Sequence, residues 1–227
     1  NTASIPSFIA TLPNTMKHFL REYPKDQWKP GDVVMTNDPW LASGHLPDIT
    51  MAMPIFYKGK LVAFAGTIAH SPDIGGSIWS ADARELFEEG IRIPPLKLYE
   101  GGKPNSTLIK MIRANVRVPE MVMGDLNAQM MAQTMCHNRL IEFMEESELE
   151  DLTDLSEVIQ DKAEEIMRQA IAEVPDGVYE KTVEMDGFDE PIRIQCQVIV
   201  RGSELEVDYE GTSAQIGRSL NCVLAYT

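Results

Sequence analysis

The rhythm of apolar and polar positions changes several times along the chain, and each change marks an element. Met16, Phe19 and Leu20 fall on one side of a helix that is expected to open at Pro13 and run to about Tyr23, where Pro24 stops it. Val33 to Thr36 reads as a buried strand, closed by the turn residues Asn37-Asp38-Pro39. Two longer apolar runs, Ile49 to about Tyr57 and Leu61 to Ala69, flank Lys58-Gly59-Lys60 and read as a β-hairpin closed by His70. Residues 71–105 are rich in Gly and Pro, with a short helix expected over Ala81–Glu89 and a strand over Leu96–Tyr99. Ser106 to about Val116 reads as a helix capped by Ser106 or Asn105.

Helical spacing then takes over. Val122, Leu126, Met130, Leu140 and Met144 mark one helix from Pro119 to about Glu146. Leu155, Ile159, Ala163 and Ile166 mark a second, from about Leu152 to Val174, so the two form a helical hairpin with an acidic loop. The methionines of this region fit flexible core packing, and His18, Cys136 and His137 fit surface or packing positions. Pro175-Asp176-Gly177 breaks the pattern. Val178–Met185, Ile192–Arg201 and Glu204–Tyr209 read as a three-stranded meander with turns at Asp186-Gly187 and Gly202-Ser203. The predicted class is α+β: a mixed domain built on the hairpin (1–118), a long helical hairpin (119–175) and the start of a β-rich unit (176–227). The first residue, Asn1, and the last, Thr227 within an apolar run, suggest a piece of a longer polypeptide.

Composition narrows the partners. The chain has 227 residues, 44% of them hydrophobic, enough for a sizeable core. Its net charge of −15 argues against nucleic acid, which needs basic surface to displace counterions, and disfavours anionic membranes. No apolar run approaches the ~20 residues of a membrane-spanning helix. The three cysteines include no C-x-x-C pair, and the expectation is reduced thiols in a cytoplasmic protein.

Chemistry concentrates between Thr36 and Gly76. This stretch holds two of the four histidines, His45 and His70, with Asp38, Asp48 and Asp73 close by in sequence. Pairing Tyr57 with Leu61 across the turn sets Asp48 opposite His70. Opposed residues have Cβ atoms roughly 5 Å apart, close enough for both to reach one ion at about 2.0–2.2 Å. His45, three residues before Asp48 across a Pro-containing turn, folds back to the same point. A one-residue slip would send His70 to the other face. Two imidazoles and a carboxylate suit a divalent Zn, Mn or Fe and leave positions open for substrate or water. The competing reading is two histidines and an aspartate that merely tie the hairpin to its loops. Asp38 and Asp73 read as further ligands, as groups orienting a histidine, or as turn residues. Gly75-Gly76 offers backbone N–H groups to an anion only as a weak signal. No P-loop or G-x-G-x-x-G is present, so no ATP site is visible in this chain.

The motifs G-D-V-V-M-T-N-D-P-W, G-H-L-P-D-I-T, A-H-S-P-D-I-G-G, F-E-E-G-I-R-I-P-P-L-K-L, R-A-N-V-R-V-P-E and G-D-L-N-A-Q stand in this order. Together they resemble the hydantoinase B/oxoprolinase family, and the likeness continues through D-G-F-D-E-P and V-D-Y-E-G-T-S. The family takes in the B-type subunits of ATP-dependent N-methylhydantoinase, the matching half of 5-oxoprolinase, and the large subunits of acetone and acetophenone carboxylases. The resemblance implies a hydantoinase A-type partner, which binds ATP and phosphorylates the substrate. In the carboxylase members the B-type subunit carries a metal at the positions matching His45, Asp48 and His70, so the resemblance implies a metal there, with room for a carboxylate upstream of Asn1 to complete the coordination. The expected activity is hydrolysis of a cyclic amide such as 5-oxoproline or a hydantoin. The alternatives are carboxylation of a ketone and a non-catalytic scaffold for the ATPase subunit. Asp38, Asp73 and Glu89 are the candidates to carry protons.

Overall fold

The structure is a computed structural model that describes residues 8–77 and 80–225, leaving the side chain of Ile9 aside. Two compact units divide the chain, residues 1–151 with 217–227 and residues 152–216. The architecture is the expected α+β.

The first unit is built on a five-stranded antiparallel sheet of order β3-β2-β1-β4-β5. Its strands are β1 (Val33–Thr36), β2 (Asp48–Tyr57), β3 (Lys60–His70), β4 (Leu96–Glu100) and the short β5 (Lys103–Pro104). Both faces are covered, so β1 is buried at every position and shows no alternation. Val33, Met35, Ile49, Met51 and Leu98 on one face pack against Leu108 and Ile112 of α3 (Ser106–Asn115) and Val122 and Leu126 of α4 (Pro119–Glu146). On the other face Val34 and Ala52 meet Phe19 of α1 (Phe8–Glu22) and Trp28, whose ring makes an edge contact with Phe64 at 4.9 Å. Asp48 lies an even number of residues from Ala52, so its side chain belongs to the face that α1 covers.

The α1 helix starts at Phe8, upstream of the expected Pro13, which lies inside it. Proline there removes one N–H near the helix start, while Thr15 and Phe19 beyond it are wholly buried and anchor the segment. The helix expected over Ala81–Glu89 contracts to one turn, α2 (Leu86–Glu89). Upstream of it Ser80 Oγ bonds both Asp82 Oδ2 and Asp82 N, a local side-chain pattern that competes with helix. The α3 helix is capped by Asn105, whose Oδ1 accepts Leu108 N at 3.1 Å. The α4 helix has the expected bounds, with Val122, Leu126 and Met144 buried. It also buries Gln129 and Gln133, where the apolar periodicity gives no signal. Gln133 Nε2 donates to Thr67 Oγ1 (2.9 Å), which donates to Gln129 Oε1 (3.0 Å), fixing α4 on β3.

The hairpin pairs Asp48 with His70, as expected, but by a different count. Tyr57 pairs with Lys60, leaving the two-residue turn Lys58-Gly59. Both turn residues have positive φ (47° and 80°), the conformation that matches the twist of a two-residue hairpin. Phe56 pairs with Leu61 and Ile55 with Ala63, so Val62 is a bulge that absorbs the extra residue.

The second unit holds α5 (Thr153–Ala172) and the antiparallel meander β6 (Gly177–Met185), β7 (Ile192–Arg201) and β8 (Glu204–Asp208). The compact units therefore divide between the two long helices. None of the three cysteines forms a disulfide. Among the described residues no helix is long and apolar enough to cross a membrane.

Candidate metal centre

Three side chains converge where β2 begins and β3 ends. His45 Nε2 lies 2.7 Å from Asp48 Oδ2, and His70 Nδ1 lies 3.0 Å from Asp48 Oδ1. The two imidazole rings are 5.0 Å apart and tilted by 37°. One ligand atom from each residue falls within 4.8 Å of the others, a spread that a single ion with bonds of about 2.0–2.2 Å spans with little adjustment. Backbone bonds fix the frame. Asp48 N donates to His45 O, and Ser71 N donates to Pro47 O at 2.7 Å, locking the loop before β2 to the residue after His70.

Charge separates this cluster from its neighbours. Four aspartates of the first unit are almost fully buried: Asp32, Asp38, Asp48 and Asp73. Asp32 pairs with Lys97 at 2.8 Å, Asp38 with Arg92 and Asp73 with Arg117 at 3.0 Å. Asp48 is 2% exposed, and among the described residues its charge partners are two imidazoles, each about half exposed. A buried carboxylate is costly unless a cation or a metal balances it. Three of the four have a permanent cation, and the fourth has the donor set of a metal site.

The loop between β1 and β2 is held by Asn37, which is wholly buried. Its Nδ2 donates to Leu46 O and to Ile91 O, both at 2.9 Å, and its Oδ1 accepts Ile93 N at 2.6 Å. Sequence reasoning reads Asn37 as a turn residue and Arg92 as loop, and misses both as builders of the site. Their signal is long-range bonding, which local spacing does not carry. Asn37→Ala strands three backbone groups, two of them buried, and is expected to cost about 2–3 kcal/mol in urea denaturation. It should also weaken metal binding, because Leu46 adjoins His45.

The proton-carrier candidates are not among the three side chains that converge. Asp38 Oδ1 accepts Trp40 N at 3.0 Å, and its Oδ2 accepts Arg92 Nε at 2.8 Å and a second guanidinium nitrogen. Asp73 accepts Gly75 N (2.9 Å), Val118 N (3.2 Å), Arg117 N and the Arg117 side chain. Burial alone would push the Asp73 carboxyl up; the backbone N–H groups of Gly75, Arg117 and Val118, with the Arg117 charge, outweigh it and hold it below the ordinary value. Gly75 N is thus taken by Asp73. At both glycines φ is positive, and a Cβ would collide with Asn115 O or with the Glu89 backbone. That pair is accounted for by close packing. Glu89 accepts Ser219 Oγ at 2.7 Å. His18 of α1 sits near enough to Asp38 to feel its charge, yet burial and then Arg21 hold the imidazole below its usual pKa.

Asp73 gives a signed pH prediction. With its folded pKa depressed, its contribution to stability is present above the unfolded value of about 3.9 and is lost as pH falls through the folded value. Asp73→Asn should be less stable at pH 7 by about 1–3 kcal/mol. Urea midpoints measured downward from pH 5 should show the gap to wild type closing.

The sequence profile of the hydantoinase B/oxoprolinase family matches residues 1–227. The chain belongs to this family. Among curated members of the hydantoinase B/oxoprolinase family it is 35% identical over 223 residues to the B-type subunit of a putative D-/L-hydantoinase from a Pseudomonas species, covering 93% of this chain and 37% of that protein. It is 29% identical to the acetophenone carboxylase delta subunit of Aromatoleum aromaticum, covering 91% of this chain and 31% of that subunit. The crystal structure of ATP-dependent caprolactamase from Pseudomonas jessenii superimposes with a TM-score of 0.86 at 32% identity, over 98% of this chain and 38% of that one. The chain thus spans between 31% and 38% of the length of these relatives. The family includes ATP-dependent amide hydrolases and carboxylases, and its members are named as subunits of larger assemblies.

Proposed function

We propose that this chain carries the metal-binding part of an ATP-dependent cyclic-amide hydrolase that opens 5-oxoproline or a hydantoin, acting with a hydantoinase A-type ATPase subunit. The observation that carries the reading is Asp48, a buried carboxylate with no permanent cation, set between two half-exposed imidazoles. His45, Asp48 and His70 would hold Zn, Mn or Fe. Such an ion polarises a carbonyl or phosphoryl oxygen and lowers the pKa of a bound water. The protein's own work is placement. The Ser71–Pro47 bond and the hairpin register hold His70 against Asp48, and the half-exposed imidazoles of His45 and His70 are the part of the cluster that solvent and substrate can reach. Of the proton-carrier candidates, Glu89 is the one without a cationic partner, and its Oε2 accepts no hydrogen bond among the described residues. Asp38 and Asp73 have cations and several donors already.

The amide reading is favoured because the hydantoinase subunit and the caprolactamase are more similar to this chain than the carboxylase subunit is. Ketone carboxylation is the runner-up, supported by that same carboxylase likeness. The test combines the full-length protein, its A-type partner and ATP with 5-oxoproline, a hydantoin, or a ketone plus bicarbonate. Ring opening is the expected result. Turnover with ketone and bicarbonate alone would move the assignment to the carboxylases. Full activity and unchanged metal content in His45→Ala and His70→Ala would leave only a scaffold.

A further inference from the structure

Arg92 is held in an unusual way for a charge partner. Its Nε and one Nη both bond the same oxygen, Asp38 Oδ2, and the guanidinium carbon stands 5.4 Å from the centre of the Trp40 ring. Nη1 has no protein acceptor among the described residues. The Arg92 side chain is 46% exposed and Trp40 is 53% exposed. Arginine–carboxylate pairs frequently engage both carboxylate oxygens, whereas this one uses a single oxygen. Here one edge is anchored and the other faces solvent beside an open indole.

The backbone connections bring this cation to the same end of the sheet as the candidate metal centre. A single Asn37 amide nitrogen donates to Leu46 O, next to His45, and to Ile91 O, next to Arg92. The sheet gives the same order. Thr36 of β1 pairs with Thr50 of β2, and Asp38 and Asp48 lie two residues beyond them toward the same end. Asn37 N in turn bonds Ile93 O. Across this end of the sheet the order is therefore His70, Asp48, Asp38, Arg92. Neighbouring strands are about 4.8 Å apart, so continuing the sheet by two spacings puts the backbone at Arg92 on the order of 10 Å from that at Asp48, a span that a small molecule held from both sides would fit. In a chain of net charge −15, an anion needs a local cation in order to bind.

We infer that Arg92, braced by Asp38 and stacked on Trp40, grips an oxyanion on the substrate whose amide lies at His45, Asp48 and His70. The oxyanion is a carboxylate or a phosphate, since both match a guanidinium edge. This rests on the proposed function of that site, and it adds the part of the substrate remote from the reacting bond.

Arginine labelling by phenylglyoxal, read by mass spectrometry on the full-length protein with its A-type partner, tests binding without requiring turnover. Three probes separate the sources: 5-oxoproline, its ring without the carboxylate (2-pyrrolidone), and inorganic phosphate. Protection of Arg92 by 5-oxoproline but not 2-pyrrolidone assigns the carboxylate; protection by phosphate alone assigns a phosphoryl group. Arg139, exposed on α4, should label at the same rate throughout. Equal labelling of Arg92 with all probes and with none would overturn the inference, even where metal analysis supports the centre. In turnover, Arg92→Gln should raise KM for 5-oxoproline by roughly 10- to 100-fold, as for a lost charged hydrogen bond, and spare metal content. Arg92→Lys should recover part of that loss. A variant that changes melting temperature while leaving KM unmoved would make Arg92 a brace for Asp38 and nothing more.

Discussion

Asp48→Asn is expected to lower metal affinity by more than 100-fold, and to change stability with opposite sign depending on whether metal is present. Asparagine keeps the shape and one oxygen but not the charge, so two imidazoles and a neutral amide remain. Loss of a group that merely orients a ligand costs 10- to 100-fold in affinity, and loss of a ligand itself should exceed that. With metal at about 100 times its dissociation constant, binding stabilises the wild type by about 2.7 kcal/mol, and the variant forfeits that. In EDTA the comparison reverses. Without metal the wild type buries a carboxylate that has no permanent cation beside it. The neutral amide avoids this cost, so the variant should match or exceed wild type, by up to about 1 kcal/mol. Thermal melts of both proteins with and without EDTA, beside elemental analysis, give the four numbers. If EDTA leaves the wild-type melting temperature unmoved and no metal is found, the site is a structural tie.

The hairpin was legible because every step was local: two apolar runs, a turn between them, and histidines at their ends. The long helices were legible for the same reason, down to the bounds of α4. What local reading could not reach was set across the fold. Pro13 lies inside α1 because burial of Thr15 and Phe19 outweighs its missing N–H. Gln129 and Gln133 look like solvent-facing positions until Thr67 is placed opposite them. The same holds at the candidate site. The clustering of His45, Asp48 and His70 follows from register alone, whereas the roles of Asn37 and Arg92 depend on contacts more than fifty residues apart in the chain. Asp38 and Asp73 were readable as site-adjacent carboxylates, but their cationic partners were not, and those partners change what the carboxylates can do.

The hairpin also shows how a correct register can come from an incorrect count, and this makes the register testable. A three-residue turn with regular pairing sets Asp48 against His70. So does the arrangement found, a two-residue turn plus the Val62 bulge. The two differ in what a deletion does. Removing Val62 erases the bulge and leaves Ile55 against Ala63 and Asp48 against His70, so metal binding should survive within a few-fold. Removing both Val62 and Ala63 leaves no spare residue. If the turn holds, His70 then pairs with Ile49 and points to the face packed against α3 and α4. That variant should lose more than 100-fold in metal affinity, as Asp48→Asn does, because a ligand is removed from the cluster. It should also be much less stable, since the apolar set of β3 changes faces with it. Val62 deletion is the informative arm, because a folded protein is expected. If it binds metal as wild type does, the bulge only absorbs an extra residue. If it loses metal while keeping its melting temperature in EDTA, the local twist of the bulge aims His70, and pairing alone is not enough to build the centre.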